Sequence, residues 1–194
     1  MPHGLDAALF VLLAMSAAGI IHVWWLKAAS VQIFMQPIDF GHTWRGRPIF
    51  GRNKRLRGLL MMPPAAAGSF ALLGGLRHQL LPDWLAAGLW ELSPGRYALL
   101  GLAAGLAFML AELPNSFLKR QLGIAPGAMP QRGIARFICP LLDRFDSVLG
   151  VLIVISLLVP VPAVTWLWLL LLGPGVHALF SALLYRTGIK ARAL

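Results

Sequence analysis

The sequence predicts an all-α integral membrane protein with about five transmembrane helices, its N-terminus outside and its polar loops in the cytosol. Three observations predict it. Of 194 residues, 58% are apolar and only 12% charged, where an ordinary soluble domain carries about 25% charge. The chain therefore lacks the charge to cover a water-facing surface, and its mean hydropathy is +0.74. Apolar runs that match the roughly 20 helical residues needed to cross a bilayer recur along the chain. Finally, 17 Lys and Arg stand against 7 Asp and Glu, for a net charge of +10, and they gather between those runs.

Taken in order, the runs are 7–26, 59–81, 97–113, 148–159 extended backward through Asp146, and 163–185. No Lys or Arg precedes the first, and it is long enough to span, which argues against a cleaved secretory leader. Pro63, Pro64 and Pro174 fall inside the second and fifth runs and predict kinks there. The fourth run is short, so its helix is expected to begin in the polar segment before it. Pro160 and Pro162 leave only a tight hairpin between the fourth and fifth.

Orientation follows from the basic residues, which stay on the cytoplasmic side near span ends. Segment 27–58 holds seven, 114–147 holds five and 186–194 holds three, while Arg77 and Arg96 fall on the other side. Trp84 and Trp90 are expected in an outer interfacial belt, and Trp24 and Trp25 in an inner one. No internal repeat or low-complexity tract divides the chain. Residues 1–194 read as one membrane domain with cytosolic loops at about 27–58 and 114–147.

Several functions are excluded or disfavoured at once. The single Cys139 rules out an intramolecular disulfide and a thiolate metal cluster. Basic residues confined to short loops between apolar runs do not make a nucleic-acid surface. Neither H-E-x-x-H nor G-x-S-x-G occurs, so metalloprotease and serine hydrolase chemistry have no carrier. His22 and His177 lie in apolar runs and read as buried, hydrogen-bonded histidines rather than metal ligands.

Three stretches can carry chemistry. Glu112-Leu-Pro-Asn-Ser116-Phe-Leu-Lys119-Arg120 closes the third span. If the helix continues past Pro114, Glu112, Ser116, Lys119 and Arg120 fall at i, i+4, i+7 and i+8, on one face. A carboxylate, a hydroxyl and two cations on one ridge suit a phosphate and metal site; a span ending in snorkelling Lys and Arg fits the same residues. In Asp143-Arg-Phe-Asp146, two carboxylates at i and i+3 point the same way and suit a hard cation such as Mg²⁺. Acidic residues also complement a helix N-terminus without binding anything. Gly150, one turn on, admits a close helix neighbour. In Gly51-Arg-Asn53-Lys54-Arg-Leu-Arg-Gly58, glycines bracket four basic residues, a composition suited to phosphate contact and equally to a polybasic loop held on anionic lipid.

Together the three stretches, in this order, resemble the CDP-archaeol synthase family. The resemblance runs from about Pro37 to Lys190 and includes the tail from His177 through Tyr185-Arg-Thr-Gly-Ile-Lys190. The Ser116-x-x-Lys119-Arg120 and Asp143-Arg-x-Asp146 elements also resemble phosphatidate cytidylyltransferases. Arg55 stands where the relatives commonly carry Thr, Glu112 where an Asp is frequent, and the Lys-Asp and His-Gly-Gly stretch of the phosphatidate enzymes is missing. The resemblance implies a membrane enzyme that uses CTP and Mg²⁺ to turn a lipid phosphate, archaeol-phosphate-like or phosphatidate-like, into a CDP-lipid with release of pyrophosphate. By position it implies that Asp143, Asp146 and Glu112 hold the metal and that Ser116 and Lys119 join the aspartates in catalysis. Gly51, Asn53, Lys54, Gly58 and Arg120 would bind the nucleotide. A homo-oligomer is compatible with the pattern.

Two other readings stand beside it. A CTP-dependent polyprenol or lipid kinase needs similar loops, and a non-enzymatic scaffold or transporter would use them only to touch lipid. A CDP-alcohol phosphotransferase is disfavoured, because its D-G-x-x-A-R-x8-G-x3-D-x3-D run is absent.

Overall fold

A computed structural model describes residues 2–27, 34–128, 130, 133–186 and 188. The chain forms α1 (Gly4–Lys27), a hairpin of β1 (Thr43–Trp44) and β2 (Arg47–Pro48), α2 (Leu56–Gly75), the short α3 (Arg77–Leu80) and α4 (Asp83–Ala87), then α5 (Pro94–Gln121), α6 (Ala135–Leu158) and α7 (Ala163–Arg186). The two strands pair antiparallel, Thr43 with Pro48 and Trp44 with Arg47.

Four helices are long and apolar enough to cross a membrane: Gly4–Leu26, Leu56–Gly75, Pro94–Gln121 and Ala163–Leu183. They make the protein an integral membrane protein. The fifth expected span is α6, whose 24 residues have the length, about 36 Å at the α-helical rise. Asp143, Arg144 and Asp146 interrupt its apolar character. Their placement resolves the conflict, since α6 packs between α5 and α7 and turns both aspartates toward α5.

Three boundaries differ from the hydrophobic runs. The second run reached residue 81, but α2 ends at Gly75, where the Arg77 guanidinium donates to the Gly74 carbonyl at 3.1 Å, a charge-assisted C-terminal stop. Apolar character alone does not reveal that stop. The fourth run began at Asp146, but α6 starts eleven residues earlier, at Ala135, and its first turns leave Phe137, Ile138 and Leu141 exposed. α5 passes through Pro114 to Gln121. It opens with Ser93 capping the Arg96 N–H at 3.4 Å and Pro94 in the first turn, both favoured there. Pro63, Pro64 and Pro174 likewise lie inside continuous helices.

Small residues set the helix spacing, as lipid-embedded packing requires. A Cβ on Gly105 would sit 2.8 Å from the Met62 carbonyl oxygen, and one on Gly101 still closer to the Ala66 carbonyl oxygen, so α2 and α5 touch backbone to backbone. Gly150 does the same for α6 against α5, with Ala107 O at 2.9 Å from its Cβ position; the close approach expected at Gly150 is found. At the opposite end, Phe10 packs on Phe70 (5.4 Å between ring centroids) and Tyr97 (5.3 Å). There the Trp90 indole donates to the Pro160 carbonyl at 2.8 Å, and Thr165 Oγ1 donates to Gly4 O at 3.0 Å. Trp90 is thus only 4% exposed, and it belongs to the core rather than to the expected interfacial belt. Trp84 and Trp24, at 58% and 74% exposed, have the exposure of belt residues.

A candidate phosphate and metal site at one end of the bundle

The loop before α2 is folded, not loose. Asp39 organises it: one carboxylate oxygen accepts the Phe50 and Gly51 N–H groups, both at 2.8 Å, and the other accepts Gly41 N–H at 3.1 Å. Burial alone would raise the Asp39 pKa; the three backbone donors outweigh it and hold the carboxyl below its ordinary value. At the base, Ile38 N–H donates to Lys54 O at 2.8 Å and Leu56 N–H to Gln36 O at 3.0 Å. This closed ribbon fixes Lys54 one residue ahead of Arg55, the N-cap of α2.

The ribbon docks on the last turn of α5. Arg47 donates to the Gln121 carbonyl, and Gln121 Nε2 reaches Pro48 O at 3.4 Å. Gly51, at φ +89°, lies so near Pro126 that a Cβ would approach its Cγ to 2.8 Å. Docking carries Lys54 to Glu112, with which it forms an ion pair. The Lys54 ammonium is pulled down by burial and up by the Glu112 carboxylate; the carboxylate prevails and its pKa is raised.

Around Glu112 the helices complete a polar network. Ser147 Oγ of α6 donates to Glu112 Oε1 at 2.9 Å, and His177 Nε2 of α7 lies 3.9 Å from the same oxygen. One turn on, the amide nitrogen of Asn115 donates to Asp143 Oδ1 at 2.7 Å and to Asp146 Oδ2 at 3.2 Å. Both aspartates therefore converge on one nitrogen, as their i, i+3 spacing implied. Lys119 forms an ion pair with Asp143, and the Ser147 N–H donates to Asp146 Oδ1 at 2.7 Å.

The expected ridge divides in two. Glu112, Asn115 and Lys119 form the face that meets the aspartates. Ser116 and Arg120, 9% and 7% exposed, are buried on the neighbouring stripe, where Arg120 donates to the Ile124 carbonyl and its side chain borders Gly51. Of the loop residues, Lys54 is in the network, Gly51 packs on the turn after α5, and exposed Asn53 places its amide 3.1 Å from the Cβ position of Gly127. Gly58 lies inside the first turn of α2, against Met109. Sequence reasoning missed Asn115, Ser147 and Asp39, and read His177 only as a buried histidine. A period argument had the means to find Asn115, which sits three residues after Glu112 and four before Lys119.

The depth of this network is unexpected. Asp146 lies twelve residues from the far end of α6, about 18 Å at the helical rise, against a hydrocarbon layer of about 30 Å. By this measure the carboxylates are recessed below one face rather than perched on it, and ionisable groups at that depth are candidates for a functional site.

The donor set suits a hard cation. Among the described residues, three carboxylates (Glu112, Asp143, Asp146) share the network with two ammonium groups, and Asp146 bonds only to neutral partners. Asn115 Oδ1 is buried without a hydrogen-bond partner, an oxygen of the kind Mg²⁺ takes. No three Asp, Glu, His or Cys side chains among the described residues close on one point, so a cation held here would need the Asn115 oxygen as well. For anions, Arg120 Nε is likewise buried and unpartnered. A cleft of about 470 Å³ lined by Trp44, Arg45, Arg47, Phe117 and Gln121 lies on the hairpin side of α5 and contains none of these carboxylates.

Fold and site together define a polytopic membrane protein with a recessed carboxylate and ammonium centre, capped by a basic loop. Comparison with known proteins specifies the class further. The family described as CarS-like CDP-archaeol synthase matches residues 20–193, and the chain belongs to that family. Similar relatives are the CDP-archaeol synthases of Pyrococcus abyssi (31% identical over 157 residues, 77% of this chain and 79% of the relative) and Pyrococcus furiosus (31% over 162 residues, 80% and 81%). The CDP-archaeol synthase of Methanoculleus marisnigri is 28% identical over 167 residues, 79% of this chain and 87% of the relative. No solved structure matches the chain.

Proposed function

We propose that the protein is a CTP-dependent cytidylyltransferase that converts a membrane lipid phosphate, archaeol-phosphate-like or phosphatidate-like, into a CDP-lipid and pyrophosphate. The observation that carries this reading is the convergence of Asp143, Asp146, Asn115 and Lys119 beside the Lys54–Glu112 pair, in a chain of the CDP-archaeol synthase family.

An oxygen of the lipid phosphate attacks the α-phosphorus of CTP; a new P–O bond forms, and the bond from that phosphorus to the β-phosphate bridge breaks. Phosphate at neutral pH already carries the attacking charge, so no protein nucleophile is required. Both reactants are polyanions, and the barrier is largely electrostatic. Lys119 and Lys54 supply fixed positive charge, and Arg120, with its unpartnered Nε, faces the phosphates from the adjacent stripe. Gly51 and Asn53 shape the loop that would cover the nucleotide, Gly58 follows it in the first turn of α2, and Ser116 lines the phosphate side. Asp143, Asp146 and the Asn115 carbonyl oxygen would hold Mg²⁺, with Glu112 as the third carboxylate; when bound, the ion neutralises triphosphate charge and screens developing charge at the α-phosphorus. Ser147 and Lys54 hold Glu112 in place for that task.

In this reading the N-terminus is outside and the site opens to the cytosol, where CTP is. The support is the crowding of basic residues at the site's end of the bundle, with Arg77 and Arg96 at the other. Incubating purified protein with labelled CTP, Mg²⁺ and a panel of lipid phosphates tests the reaction. CDP-lipid and pyrophosphate are the expected products. CDP with a newly phosphorylated lipid alcohol would instead identify a kinase, and no CTP turnover with any lipid would leave the scaffold reading.

A further inference from the structure

Between α1 and α2, at the end that carries the site, lies a groove of about 290 Å³ lined by Ile21, His22 and Trp25 on one helix and Pro64, Ala65 and Gly68 on the other. Its walls are apolar apart from His22. Gly68 has nothing within 4 Å of its Cβ position, so this glycine weakens the helix interior without serving helix packing. Its bareness keeps the groove open. Ile21 is 47% exposed and Trp24, next to the groove wall, 74%, so the groove opens on a surface that faces lipid.

Its inner end leads to the recessed centre. His22 Nδ1 is buried and has no hydrogen-bond partner among the described residues. The charged groups that bear on the imidazole are Glu112 and Arg57. The Cβ position of Gly58 lies 3.1 Å from Met109 Cε and 3.9 Å from His22 Cε1, and Met109 is three residues before Glu112. The missing side chain at Gly58 thus joins groove and carboxylate site.

We infer that this groove holds a hydrocarbon chain of the lipid phosphate, with His22 hydrogen-bonding the oxygen that links the chain to the phosphate-bearing backbone. The inference rests on the cytidylyltransferase reading for the identity of the lipid. The occupant is an anionic lipid rather than any bilayer lipid, because the groove ends at an unsatisfied polar nitrogen and leads past Gly58 toward the centre where the Lys54 and Lys119 ammonium groups lie. An apolar chain gains contact along Ile21, Pro64 and Ala65, while the head stays in the polar recess. His22 is here a binding residue for the lipid, not a group that touches the reacting phosphorus.

The test uses the full chain in nanodiscs with a lipid phosphate that carries a photoreactive diazirine in mid-chain, against phosphatidylcholine carrying the same diazirine. The expected result is labelling of the peptides spanning 21–25 and 61–68 by the lipid phosphate well above the phosphatidylcholine level. Equal labelling by the two, or labelling confined to other helices, overturns the inference. In a second measurement, Gly68→Leu fills the groove where a side chain meets no neighbour. The ratio of kcat/KM for a long-chain over a dihexanoyl-type lipid phosphate is expected to fall about tenfold, the size of a few lost apolar contacts, with KM for CTP unmoved. An unchanged ratio counts against the groove. Selective labelling without any CDP-lipid formation would retain the groove and remove the cytidylyltransferase reading; CDP-lipid formation without selective labelling would do the reverse.

Discussion

Asn115 shows how much one side chain decides at this site. Its amide nitrogen holds two carboxylates that would otherwise repel, and leaves its own carbonyl oxygen unpartnered beside them. Asn115→Ala is expected to lower CTP turnover about 10–100-fold, the usual cost of removing a group that orients metal ligands; a steady-state assay of CDP-lipid checks it. Asp146→Asn keeps size and hydrogen bonding but removes the carboxylate. It is expected to abolish CTP-dependent turnover while membrane insertion and thermal unfolding stay as in the parent, and retained activity would remove Asp146 from the proposed metal set. Asp39 gives a pH prediction. Its carboxyl titrates below the ordinary carboxylate range in the folded loop, so the stability it lends is complete above about pH 4, the unfolded value, and is lost as pH falls through the lower folded value. Limited proteolysis of the 34–55 loop should accelerate on acidification in the parent, and be fast and far less pH-dependent in Asp39→Ala.

At the scale of elements, backbone-close packing of α5 on α2 and α6 sets the register that brings Asn115 to the aspartates. Gly150 makes such a contact one turn from Asp146, with Ala107 O at 2.9 Å from its Cβ position. Gly150→Leu is expected to cost about 1–3 kcal/mol as overpacking and to push α6 away from α5, so both the melting temperature in detergent and CDP-lipid formation should fall. Gly95→Leu, where nothing lies within 4 Å, is the matched control and should not lower the melting temperature. The continuity of α5 through Pro114 belongs to the same argument: had the helix stopped there, Lys119 would not lie two turns below Glu112 on a common face.

Over the whole molecule, the five long helices alternate so that the C-terminal ends of α1, α5 and α7 and the N-terminal ends of α2 and α6 share one side. The site, the β-hairpin and most basic residues lie there, while at the other side Trp90 is tied to Pro160 and Gly4 to Thr165. Cysteines placed singly at Arg45 and at His78 in a Cys139→Ala background are expected to react from opposite faces, Arg45→Cys from the cytosolic side. Labelling of Arg45→Cys from outside would invert the proposed orientation.

The sequence by itself determined the membrane class, the five helical segments and the three stretches that supply the site, because charge scarcity, run length and i, i+3 or i, i+4 spacing are local properties readable along the chain. It did not determine that α2 stops at Gly75, that α6 begins near residue 135, or that Asn115 rather than Ser116 meets the aspartates. Nor did it pair Lys54 with Glu112, or open a groove beside His22. Those depend on helix rotation and on how closely two backbones approach, which residues such as Gly105 and Gly150 fix only against partners distant in sequence. Periodicity says which residues share a face; only the packed bundle says what that face meets.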